Sequence, residues 1–97
     1  MPTYVTLVKW TEKGIQKIKD LPDRLESAGK LMEAMGGKFT GTYITTGEYD
    51  MVVVSEGPSD EAATAALLAI ASRGFVRTVT MRAFTPVEFA EILKKLP

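Results

Sequence analysis

Apolar and polar positions alternate along Thr3–Trp10, which predicts a first strand. Tyr4, Thr6, Val8 and Trp10 fall on one side of it, and Val5, Leu7 and Lys9 on the other. A helical spacing then takes over. Thr11 is placed to cap a short turn carrying Ile15 and Ile18, which Gly14 weakens. Asp20-Leu21-Pro22 restarts the helix with proline in its first turn. Leu25, Ala28, Met32 and Met35 form one buried stripe that Gly36-Gly37 ends. Residues 38–46 and 49–56 are both β-forming and are joined by Gly47-Glu48, which predicts a hairpin with a type II′ turn. Gly57-Pro58 breaks it, and Ser59 or Asp60 caps a helix that buries Ala63, Ala66, Leu67 and Ile70 before Gly74 stops it. Residues 75–84 make a fourth strand. Thr85-Pro86-Val87-Glu88 has the form of a capping box, with Phe84 and Phe89 placed for a hydrophobic staple. Phe89, Ile92, Leu93 and Leu96 line one side of the last helix.

The order β-α-β-β-α-β, followed by a helix, predicts an α+β fold of ferredoxin-like type, with an antiparallel sheet in the order 4-1-3-2. A single domain is expected over residues 1–97. Val5, Leu7, Val52, Val54, Val79 and Met81 are expected to meet the helices. The opposite face would carry Tyr4, Thr6, Val8, Met51, Val53, Thr78, Thr80 and Arg82, which is half apolar where an open antiparallel face should be polar. Such a patch calls for a cover, either the C-terminal helix or, the favoured reading, a second subunit.

Composition narrows the chemistry. The formal net charge is zero and no Lys/Arg cluster is present, so nucleic acid is not an expected partner. The chain has neither cysteine nor histidine. Disulfides and thiol chemistry are excluded, the commonest general base is missing, and no metal or other cofactor is expected. With no signal-like N-terminus and no apolar run of bilayer length, a cytoplasmic protein without membrane association is expected.

Asp50 is the odd residue of the hairpin, because aspartate is depleted in strands. Its structural reading is a carboxylate bonded to free N–H groups of the first helical turn, or paired with Arg77 or Lys9. Its functional reading is a general base or a ligand anchor. Tyr4, Trp10, Tyr43 and Tyr49 are candidate pocket-lining aromatics, although core and interface packing is the commoner use of such residues. Arg77 is a candidate to hold a carboxylate ligand. With Gly47 at the hairpin tip, these residues make up the candidate binding site. Catalytic residues are not identified.

Met1-Pro2-Thr3-Tyr4-Val5-Thr6-Leu7, Thr11-Glu12-Lys13-Gly14-Ile15, Gly36-Gly37-Lys38, Gly47-Glu48-Tyr49-Asp50 and Val76-Arg77-Thr78 together resemble the GYD-domain family. That family takes its name from the run matched here by Gly47, Tyr49 and Asp50. The resemblance implies ferredoxin-like subunits packed sheet to sheet as a dimeric α+β barrel, and carries no established activity. A looser resemblance reaches the effector-binding domain of Lrp/AsnC-type regulators, although Phe75 stands where those tend to have glycine. It implies a small-molecule site between subunits, bordered by residues 47–50.

Three functions compete. The first is a homo-oligomeric module that binds or senses a small molecule near the hairpin and the subunit interface. The second is a cofactor-independent oxygenase or isomerase with Asp50 as base and Tyr43 or Tyr49 as proton donor; lack of histidine weighs against it, so the balance leans away from an enzyme. The third is a structural partner subunit without ligand.

Overall fold

The computed structural model describes residues 1–97. Strands β1 (Thr3–Trp10), β2 (Lys38–Ile44), β3 (Met51–Glu56) and β4 (Val76–Ala83) form one antiparallel sheet in the order β2-β3-β1-β4. Read from the opposite edge this is the expected 4-1-3-2. Helices α1 (Glu12–Gln16), α2 (Leu21–Ala34), α3 (Asp60–Ala71) and α4 (Pro86–Leu93) complete the chain, with a short 3-10 turn, Ile18–Asp20, leading into α2. The fold is α+β and ferredoxin-like.

Local chemistry sets the helix ends. Thr11 and Ser59 each accept a hydrogen bond from the backbone N–H three residues on, and so cap α1 and α3. Thr85 and Glu88 form the complete reciprocal capping box at α4. Gly36 and Gly74, at φ +85° and +84°, turn the chain out of α2 and α3.

The two faces of the sheet are the reverse of those expected. Tyr4, Thr6 and Val8 of β1 and Met51, Val53 and Ser55 of β3 are buried beneath α2 and α3. Val5, Leu7, Val52 and Val54 point the other way, with Val79 50 % and Met81 44 % exposed beside them. Threonine and tyrosine are tolerated on the helix side because their hydroxyls find partners there. Thr6 and Thr80 share a hydrogen bond of 2.9 Å across the strands, and the Tyr4 hydroxyl donates to Asp60 at the start of α3. The sheet therefore keeps a second apolar face, built from the opposite residues.

That face is open. Helix α4 does not cover it, and its own Val87, Phe89 and Leu93 are exposed. The hairpin also differs from expectation. β2 and β3 stop at the Ile44↔Met51 pair, and residues 45–50 form a loop rather than a two-residue turn. The loop is closed by Thr45, whose N–H donates to the Asp50 carbonyl (2.9 Å) and whose hydroxyl donates to the Tyr49 carbonyl (2.6 Å). Gly47 sits in it at φ +106°.

Candidate functional site

Asp50 lies just outside β3. Its N–H donates to the Val8 carbonyl (2.8 Å), and its Oδ2 accepts from the Trp10 N–H (2.9 Å). The carboxylate thus stands in for a strand carbonyl and carries the β1–β3 pairing past Met51. The donor is the end of β1, not the helical turn, Arg77 or Lys9. The next residue continues the knot: the Thr11 N–H donates to the Phe75 carbonyl (3.1 Å) and its hydroxyl to that of Gly74 (2.6 Å). Gly14 packs so tightly on the Phe75 carbonyl that a Cβ there would overlap it. That close approach is the reason for a glycine in this helical turn.

The candidate residues do not converge on one pocket. Tyr4 is on the helix side of the sheet, only 5 % exposed, at the end of β1 away from the hairpin loop. Trp10 packs against Val8, Met51 and Val53. Tyr43 lies on the open face, 63 % exposed. Tyr49 and Arg77 do meet, in a shallow depression of the open face shared with Leu7, Lys9 and Val79, where the Lys9 ammonium sits 5.2 Å from the centre of the Tyr49 ring. Gly47 stands clear of other groups.

The larger space lies on the other side of the sheet. Helices α2 and α3 rest on it without closing over it and leave a cavity of about 410 Å³. Val8, Met51 and Val53 form its floor, Leu25, Ala28 and Met32 one wall, and Ala63, Leu67 and Ile70 the other. The small side chains of Ala28 and Ala63 in its walls leave it unfilled. Its polar lining comes from Thr6, Thr78 and Thr80 of the sheet and from Arg24 and Arg73 at the α2–α3 end, with Asp20 and Asp23 near them. Tyr4 also lines it. Burial and the bond to Asp60, in that order, push the Tyr4 phenol up to about 12.

Arg24 is the residue that sequence reasoning missed. Its guanidinium lies 4.4 Å from the centre of the Phe75 ring, and its Nη1 donates to the Lys17 carbonyl (2.7 Å). Its Nη2 is buried and has no hydrogen-bond partner. The available signal was a charge four residues before buried Ala28, on the edge of the apolar stripe of α2.

The GYD domain family matches residues 4–93. The chain belongs to the GYD domain family. A relative in Thermus thermophilus, described as a glutamine synthetase and cystathionine beta-lyase binding protein, is 30 % identical over 95 residues, covering 97 % of this chain and all of that one. Among solved structures, a feast or famine regulatory protein of M. tuberculosis complexed with L-methionine aligns with a TM-score of 0.66 at 19 % identity over 88 % of this chain. The leucine response regulatory protein of the same organism aligns with a TM-score of 0.65 at 20 % identity over 87 % of this chain. The GYD chain spans about half the length of these two regulators, 51 % of each. At that identity the likeness establishes the shared fold alone.

Proposed function

We propose that this GYD protein is a homo-oligomeric module that binds a small, largely apolar molecule and reports its presence to other proteins. The carrying observation is the cavity of about 410 Å³ between the helices and the sheet. It is toward the small end of the roughly 300–1,000 Å³ usual for ligand pockets, and it is mostly apolar, with hydroxyls along the sheet and its charged groups at one end. On this reading the ligand lies under α2 and α3 rather than at the hairpin loop.

Self-association is assigned to the open face. Val5, Leu7, Val52, Val54, Val79, Met81 and Tyr43 make an apolar surface of the kind that a second subunit covers. The Lys9–Tyr49–Arg77 depression then belongs to the subunit interface, where the hairpin residues help fix how two copies meet. The reading as a partner subunit for enzymes is favoured by one relative's described binding of glutamine synthetase and cystathionine beta-lyase and by the exposed apolar side of α4. It is compatible with a ligand-binding role.

The test is to fill the cavity. Ala28→Leu, from the buried face of α2, is expected to abolish binding of the probe 1-anilinonaphthalene-8-sulfonate while keeping or raising the melting temperature. Equal probe binding by the original and filled proteins overturns the assignment. Light scattering at micromolar concentration is expected to give at least twice the chain mass, and a stable monomer there removes the oligomeric part.

A further inference from the structure

The geometry points to a singly charged apolar carboxylate as the ligand of this cavity, with Arg24 as its anchor. The inference rests on the proposed binding role and adds the chemical class of the guest. Arg24 is held firmly. Its stem leaves α2, its Nη1 is fixed on the Lys17 carbonyl, and its guanidinium carbon lies over the Phe75 ring. These contacts position the guanidinium without neutralising it. No carboxylate lies within ion-pairing distance of Arg24, its Nη2 is buried with no acceptor of the protein, and the residue lines the cavity. A buried charged donor without a partner is rare in native proteins and is unfavourable until an acceptor arrives. A carboxylate is the acceptor that a guanidinium matches best.

The charge of the guest follows from the other groups at that end. Arg73 lines the same cavity, with its Nη1 on the Ser27 hydroxyl (3.0 Å), and Asp20 and Asp23 line it too. Two cations and two anions already balance, so a monoanion paired with Arg24 leaves this end at one net negative charge, whereas a dianionic phosphate head beside Asp20 and Asp23 leaves it at two. The body of the guest runs from Arg24 over Leu25, Val53, Leu67 and Ile70, which offer only apolar surface.

Calorimetric titration with octanoate, octanol and octyl phosphate tests this on the full chain. Octanoate is expected to bind saturably with one molecule per chain, about tenfold or more tighter than octanol. Arg24→Gln is expected to remove that difference and leave octanol binding unchanged. In the original protein, the Arg24 guanidinium NMR signal should move with octanoate and not with octanol, which keeps the test independent of how the variant folds. Equal binding of octanoate and octanol, abolished by Ala28→Leu, overturns the carboxylate anchor and leaves the cavity as the binding site. Tighter binding of octyl phosphate overturns the charge class. Failure of all three to bind overturns both this inference and the binding role.

Discussion

Asp50 shows how one side chain substitutes for backbone. Its carboxylate occupies the position of a ladder acceptor opposite the Trp10 N–H, a site that a short polar side chain reaches from a loop. Asp50→Ala is expected to cost roughly 1–3 kcal/mol in urea melts at neutral pH, because a half-buried N–H loses a charged partner. Asp50→Asn keeps an oxygen for the bond and should cost less. An unchanged midpoint for the alanine variant would mean that Asp50 serves something other than the fold. Tyr4 gives a second residue-scale expectation. Its folded pKa is raised to about 12 from 10.0, so its contribution is whole below pH 10 and is lost as the pH climbs toward 12. Tyr4→Phe should flatten that alkaline loss. Its effect at neutral pH should be small, roughly 0.5–1.5 kcal/mol, since the Asp60 side chain is 71 % exposed.

At the scale of elements, α4 stands apart from the rest. Its start is specified by sequence chemistry alone, through the reciprocal Thr85–Glu88 bonds and the proline in its first turn. Its body has little to pack on, with Val87, Phe89 and Leu93 exposed. The combined Phe84→Ala and Glu88→Ala variant is therefore expected to lose helical circular dichroism without moving the cooperative melt of the sheet. A shift of the whole transition would make α4 part of the core. Bonding to the Thr85 backbone N–H, then to its side chain, holds the Glu88 carboxyl below its usual pKa. A depressed acid supports the fold above its unfolded pKa and stops doing so as pH falls through the folded one. The α4 signal should accordingly fray on acidification before the sheet melts, as ellipticity followed from neutral to acid pH will show.

For the whole molecule, the sheet with two apolar faces is the governing feature. One face is roofed by α2 and α3 and holds the cavity; the other is bare. Val79→Glu on the bare face is expected to dissociate the proposed assembly in light scattering while the chain stays folded. Val53→Glu buries an unpaired carboxylate among Val8 and Met51 and is expected to unfold the chain instead. Dissociation of folded subunits by Val53→Glu would reverse the assignment of faces. The GYD match over residues 4–93 and the ferredoxin-like neighbours agree with this body plan.

Sequence patterning by itself determined the elements, their order, the caps at Thr11, Ser59 and Thr85, and the strand order. These depend on local hydrogen bonding and on crossover handedness, which neighbouring residues carry. It also made plain that both faces of the sheet are apolar enough to need cover. Which face the helices take was decided only in three dimensions. Alternation separates Val5 and Leu7 from Tyr4, Thr6 and Val8 but does not rank two half-apolar faces. The ranking came from distant partners: Asp60 for Tyr4 and Thr80 for Thr6. The candidate site divided for the same reason. Tyr4 and Tyr49 look alike along the chain, yet the pleat sends them to opposite sides of the sheet. The cavity and its Arg24 escaped because an empty volume is a property of how α2 and α3 sit on the sheet, and its lining comes from segments far apart in sequence, such as Arg24, Val53 and Ile70.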